Sequence, residues 1–236
     1  SQDVLEEKVF NPFATENNVE LVLDTGKTDE RYTRFSSDAN SQVDVIELSE
    51  SAAQKGFEAG LFEEIDYSKL TNADKLLDVL KPLVDAKKGP AYTVNSLVIV
   101  YNPEAVKMDI KSYSDIWDES LKSAVAIPDI TTSFGPAMVY IAADYAQGDV
   151  FNDTKAFDAL AQLKPNIVKS YAKSSDIANM FTNKEVAVAL VGDFALPMIL
   201  KDNPDLKVVF PSDVAYVNFN TININKNSAN KELAYK

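Results

Sequence analysis

The chain has 236 residues, 46% of them hydrophobic, enough to fill one large core or two modest ones. Lys and Arg number 23 against 36 Asp and Glu, and the resulting charge of −13 disfavours nucleic acid or an anionic membrane surface as main partner, because phosphate groups would go unneutralised. Histidine and cysteine are both absent, which removes disulfides, thiol nucleophiles, structural zinc and the usual acid–base side chain near neutral pH.

No apolar run is long enough to cross a bilayer, and no basic segment followed by an apolar one opens the chain. The expectation is a soluble, already processed or truncated piece. Val4, Leu5, Lys8 and Val9, with Phe10 and Phe13, have helical spacing that ends near Asn11-Pro12 or shortly after. Alternation from Asn18 to Asp24 predicts a half-buried strand. A helix over Thr28 to Asp38 precedes a short buried strand, Val43 to Leu48, and a helix from Ser51 to Ala59 is closed by Gly60. Leu97 to Asn102 reads as a strand that Pro103 ends, since proline has no N–H to give to a ladder. Helical patterns follow over 113–121, 136–147, 154–163 and 175–182, with strands at 124–127, 186–191 and 208–211. Strands alternating with helices argue for an α/β fold with largely parallel sheets.

The segment from Ala124 to Met138 carries the most chemical information. An apolar strand runs into Pro128-Asp129-Ile130-Thr131-Thr132-Ser133, and a helix then opens with Gly135-Pro136. Proline in the first turn gives up an N–H that would be unpaired anyway, so the remaining free N–H groups and the hydroxyls are expected to converge on one small volume that suits a polar or anionic group. The competing reading is that Ser133 or Thr132 simply caps the helix. The last alternating run, Val217 to Ile224, reads as a strand returning to the first half of the chain. Two lobes result, 1–95 plus 217–236 and 96–216, with crossings near 92–102 and 211–220.

Several segments, in this order, resemble one family. They are Gln42 to Ser49, the connector Gly60-Leu61-Phe62-Glu63-Glu64-Ile65-Asp66-Tyr67-Ser68-Lys69-Leu70, Val98 to Pro103, Ser112 to Asp118, Val188 to Ala195, and Ile224 to Ala234. Together they resemble the extracellular solute-binding proteins of bacterial ABC importers, in the branch that includes spermidine/putrescine, thiamine and ferric-ion binders. The resemblance implies a two-lobed periplasmic-binding-protein-like α/β fold, each lobe a mostly parallel sheet flanked by helices. It also implies a monomer outside the cytoplasm, compatible with a lipid anchor, that delivers a small-molecule solute to a membrane permease. Such proteins usually begin with a further strand and continue into further helices beyond Asn230-Lys231, so this chain is expected to lack material at both ends.

The resemblance places the solute on loops facing the space between lobes. The residues it nominates are Ser49, Glu50 and Ser51 in the first lobe, Asn95, Tyr216, Asn218 and Asn220 at the crossings, and Asp129, Thr131, Thr132, Ser133, Asp193 and Phe194 in the second. Each has a plain alternative, because Ser49, Ser51 and Asp193 can cap helices and the asparagines can form turns. Polyamine binders of the family use several carboxylates and stacked aromatic rings, whereas Asn218, Asn220 and Gly192 stand here at the corresponding places. No Tyr-Tyr pair is present, so ferric ion is not expected, and neither a metal nor a cofactor is called for. A hydroxyl loop beside one or two acids suits a compact amine or zwitterion, with a polyamine as the alternative.

The expected action is hinge closure, with hinges near Asn95 and Asn220. Catalysis by Asp129, Asp193 and Glu50, through carboxylate acid–base or magnesium chemistry, is the reading from another class. With seven glycines the chain has no Gly-Lys-Ser/Thr loop, Gly-x-Ser-x-Gly turn or Gly-rich dinucleotide fingerprint, and no catalytic residue is assigned. A third reading makes the acidic surface around Glu47, Glu50, Glu58, Glu63, Glu64 and Asp66 a contact for a protein partner.

Overall fold

The computed structural model describes residues 2–26, 28–147, 153–211 and 215–236. Residues 212–214 of the second expected crossing thus lie outside the described residues. In chain order the elements begin with α1 (Gln2–Leu5), a π turn (Glu6–Phe10), α2 (Asn11–Asn17), α3 (Thr28–Ser37), β1 (Val45–Ser49) and α4 (Glu50–Glu58). Next come α5 (Lys81–Asp85), β2 (Ala91–Tyr101), β3 (Val125–Pro128), α6 (Ala137–Tyr145), α7 (Asp153–Leu163), β4 (Ile167–Tyr171) and α8 (Ser174–Thr182). The chain closes with β5 (Val188–Gly192), α9 (Leu196–Asp202), β6 (Lys207–Val209), β7 (Val217–Ile224) and α10 (Lys231–Ala234). Two compact units form, Ser1–Leu76 with Asn223–Lys236, and Leu77–Ile222.

In the larger unit, alternate residues of the central strands feed two different cores. Leu97, Ile99 and Tyr101 of β2 and Val188 and Leu190 of β5 join Val125, Met138, Ile141 and Leu163 on one face. Val98, Val100, Ala189 and Val191 join Ile177, Phe181 and Ile199 on the other. This is why the strands read as continuous apolar runs: helices cover both faces. β3 runs parallel to β4 and β5, whereas β2 runs antiparallel to β5, β6 and β7. The parallel strands therefore end together at Pro128, Tyr171 and Gly192, and the loops that follow them share one edge of the sheet.

Four expectations are corrected. The helix over 113–121 is two short 3-10 turns, Tyr113–Trp117 and Glu119–Leu121. The Asp118 backbone turns extended between them, and its carboxylate accepts the Ser120 N–H to start the second turn. The Ser120 hydroxyl, and then that N–H bond, hold the Asp118 carboxyl below its ordinary range. The first helical stretch, expected to end near Asn11-Pro12 or shortly after, continues to Asn17. Asn11 N–H bonds the Glu6 carbonyl five residues back, and this widened turn admits a residue without an N–H at the start of α2. The predicted strand from Asn18 to Asp24 is irregular chain: Asn18 is left-handed at φ 52°, no described strand pairs with the segment, and Val22 is 89% exposed. Lastly, β4 forms where no strand was expected.

In the smaller unit, Phe35 of α3, Ile46 and Leu48 of β1, and Ala52 and Ala53 of α4 enclose Phe62. Gly56 makes that packing possible, since a Cβ there would lie 2.0 Å from the Phe62 ring. The connector after Gly60 docks on the chain following β7. Glu63 N–H donates to the Ile224 carbonyl at 2.9 Å, Lys226 N–H to the Leu61 carbonyl at 3.0 Å, and Lys231 pairs with Glu63 at 2.8 Å. Asn225, buried at this junction, donates through Nδ2 to the Val43 carbonyl at 2.8 Å and accepts the Asn227 N–H at 2.9 Å. Replacing it by alanine leaves both backbone groups without that partner. Asn225→Ala is expected to lower unfolding free energy by about 2 kcal/mol, read as a shift of the urea midpoint at unchanged slope.

Candidate functional site

The loop after β3 is organised around Asp129. Its Oδ1 accepts the Thr131 N–H at 3.0 Å and the Thr131 hydroxyl at 2.6 Å, and its Oδ2 accepts the Ser170 hydroxyl at 3.3 Å. The Thr132 hydroxyl donates to the Asp129 carbonyl at 2.7 Å. The hydroxyl and N–H of Thr131, and then the Ser170 hydroxyl, favour the ionised form and hold the Asp129 carboxyl below its ordinary range. A carboxylate has about four lone-pair positions, so this one keeps capacity for an outside donor.

The expected convergence of free N–H groups at the start of α6 is corrected by the same geometry. Ala137 N–H donates to Phe134 O, Met138 N–H to Gly135 O and Val139 N–H to Pro136 O, at 3.0 to 3.1 Å. Tight turns thus satisfy the first donors of the helix, and Thr131 and Thr132 turn their hydroxyls onto Asp129 rather than outward. Ser133 is exposed beside them. The loop therefore presents a carboxylate rather than an anion nest. Gly135 is needed here because a Cβ would sit 2.2 Å from the Asp129 carbonyl oxygen and 2.4 Å from Ile130 Cα.

An aromatic joint ties this loop to the one after β5. Asp193 and Phe194 begin a 3-10 turn (Asp193–Ala195) that leads into α9. The Phe194 ring stacks on Phe134, with centroids 6.2 Å apart and planes 21° apart. Phe134 meets Tyr216 edge-on at 6.0 Å, and Tyr216 meets Tyr140 of α6 at 5.8 Å. Asp129, Thr131, Thr132, Ser133, Asp193, Phe194 and Tyr216 are thereby brought to one edge of the sheet. Sequence reasoning passed over Phe134, Tyr140 and Ser170 there. An aromatic residue inside a hydroxyl loop was the available signal for Phe134; Ser170 had none, because β4 went unread.

The other nominated residues are placed differently. Asn95 and Asn218 face each other across β2 and β7, with Nδ2 of Asn95 donating to Oδ1 of Asn218 at 3.2 Å, while Asn220 donates to the Thr93 hydroxyl at 2.7 Å. In the smaller unit, Ser49 occupies the N-cap position of α4 without a side-chain cap bond; its hydroxyl lies 3.3 Å from that of Ser51, and Glu50 opens the helix exposed. Among the described residues no group of three or more acidic side chains could hold a metal ion, and no helix is long and apolar enough to cross a membrane.

Two consequences can be measured. Thr131→Val removes the hydroxyl that contributes most to the Asp129 shift, so the carboxyl titration, followed by NMR, is expected to move up toward the ordinary range. For the wild type, a depressed carboxyl pKa means that its contribution to stability is present above the ordinary value and is lost as pH falls through the depressed one. Gly135→Ala is expected to cost about 1–3 kcal/mol by overpacking the loop against its own backbone, seen in thermal unfolding.

Comparison with known proteins identifies the family. A model described as bacterial extracellular solute-binding protein matches residues 8–236. The spermidine/putrescine-binding periplasmic protein 1 of Haemophilus influenzae is 25% identical over 237 residues, covering 97% of this chain, which spans 65% of that protein's length. A crystal structure described as an ABC transporter from Clostridium perfringens is 52% identical at TM-score 0.94, with 99% of this chain and 74% of that one covered. The spermidine/putrescine ABC transporter substrate-binding protein of Streptococcus pneumoniae has TM-score 0.81 at 20% identity, over 100% of this chain and 72% of that one. With a parallel-strand edge carrying acids and rings, and a family match over nearly its whole length, the chain belongs to the bacterial extracellular solute-binding proteins and has the periplasmic-binding-protein α/β fold.

Proposed function

We propose that the chain acts as a monomeric receptor outside the cytoplasm that binds a compact organic amine or zwitterion and hands it to the membrane permease of an ABC importer. The observation that carries this reading is the Phe134–Phe194 stack, which joins the loop that holds Asp129 to the turn that holds Asp193, at the carboxyl ends of the parallel strands. Open α/β sheets bind ligands at that edge. Carboxylates beside ring faces suit an ammonium group, by charge-assisted hydrogen bonds and cation–π attraction. The role is binding, with no bond made or broken in the solute.

Delivery would follow from closure of the two lobes on the solute, whose contacts must favour the closed form. Moving the population from mostly open to mostly closed takes roughly 5 kcal/mol of differential affinity. The crossing strands near Asn95 and Asn220 would carry the bending. A second reading, a polyamine, is supported by the names of the Haemophilus and Streptococcus proteins.

Putrescine and 4-aminobutyrate share a four-carbon chain and differ in one terminus, ammonium against carboxylate. Calorimetric titration with each is the decisive comparison. Tighter 4-aminobutyrate selects the zwitterion reading, tighter putrescine selects the polyamine, and heat-silent titrations with both overturn an amine solute. Asp129→Asn and Asp193→Asn are each expected to weaken the tighter probe by about tenfold, one charge-assisted bond's worth. Saturation at about 100 times Kd should add roughly 2.7 kcal/mol of stability, visible in the thermal midpoint.

A further inference from the structure

We propose that Gly192 is a positioning residue for solute recognition: by carrying no side chain it lets Phe194 lie over Phe134 as the wall that meets the apolar or cationic part of the solute. The recognition part rests on the solute-binding reading above. The backbone at Gly192 is extended, at φ −67° and ψ 136°, a conformation open to any residue, so glycine is not required there by the chain's path. What requires it is space. A Cβ at Gly192 would come within 2.4 Å of Phe194 Cε1 and 2.7 Å of Phe134 Cε2. Both rings occupy the volume that a side chain at 192 would fill.

The two rings are placed unequally. Phe134 is 4% exposed and belongs to the core beneath α6, while Phe194 is 61% exposed. A phenylalanine ring that leaves most of its surface in water is not held by burial, so its position depends on the stack below it and on the empty volume at Gly192. The aromatic row continues from Phe134 through Tyr216 to Tyr140, whose ring is again exposed. Asp193 precedes Phe194 directly, and Asp129 lies in the same loop as Phe134. An exposed ring face beside carboxylates attracts the methylene and ammonium portions of an organic amine and gives little to a simple inorganic anion.

The test separates placement of the ring from binding. Phe194→Trp supplies a reporter at the wall, and Gly192→Ala is made in that background and in the wild type. Alanine is expected to push the ring off the stack, raising acrylamide quenching of the reporter and shifting its emission to the red. In the wild-type background the same substitution should weaken the tighter of putrescine and 4-aminobutyrate by about tenfold. Phe194→Ala removes an exposed ring and tests the wall without crowding the core. Its affinity loss should match that of Gly192→Ala, and the double variant should lose no more than either, because both act through one ring. Unchanged quenching overturns the positioning role, while displacement of the ring at unchanged affinity, or additive losses in the double variant, overturns the role in recognition. A wild-type protein that binds neither probe refutes the amine reading and the recognition role with it, and the quenching result then still decides whether Gly192 sets the ring.

Discussion

The burial of β5 on both faces is the constraint from which the larger unit is built. Val188, Ala189 and Leu190 are fully buried, Val191 is nearly so, and their side chains alternate between two cores. A strand in that situation cannot slip by one residue, since every side chain would then enter the wrong core. Its register with β2, from Leu97 opposite Gly192 to Tyr101 opposite Val188, is therefore fixed by packing as well as by the ladder. That fixes where β5 ends, and so where Gly192, Asp193 and Phe194 emerge. Buried tyrosines reinforce the arrangement: Tyr171 donates to the Leu190 carbonyl at 2.7 Å, and burial pushes its hydroxyl pKa well up, so it stays a neutral donor. The Asp129 N–H in turn donates to the Tyr171 carbonyl at 2.8 Å, which ties the first residue of the acidic loop to β4.

On this rigid edge, the character of the site is decided by which polar groups are already engaged. The opening N–H groups of α6 are bonded to the carbonyls just before them, and the threonine hydroxyls are turned onto Asp129. What remains uncommitted at this edge is mainly negative charge and aromatic surface. A loop of the same composition with those donors turned outward would favour a carboxylate or phosphate. The difference lies in hydrogen-bond direction, which composition does not record.

This also explains how much was legible beforehand. Strands buried on both faces announced themselves: β5 and the second half of β2 were located within two residues, because nothing but continuous apolar sequence can occupy them. β4 escaped notice because it is an edge strand whose Val168, Lys169 and Ser170 are exposed, leaving Tyr171 as its one buried residue. The converse error came from Val19, Leu21 and Leu23, whose alternation satisfies the period of a strand while no described ladder partner exists. For the site, acids and hydroxyls in the loop after β3 were recognisable from the strand–loop–helix pattern. The Phe134–Phe194 joint was not, since residues 60 positions apart meet only after β5 has paired with both β3 and β2.

The asparagines of the crossings bond their cross-strand neighbours. Asn95 with Asn218, and Thr93 with Asn220, are cross-strand neighbours whose side chains bond each other along β2 and β7. Such pairs add stiffness to the ladder in addition to its backbone bonds. The regular register is broken between Ala91 and Thr93, opposite Asn220 and Thr221, and irregularities of this kind bend strands. The same stretch lies next to the division between the compact units at Ile222 and Asn223. The bonded side-chain pairs hold β2 and β7 together as a ribbon along the regular part of the ladder, and the irregularity confines the departure from regular pairing to its Ala91 end.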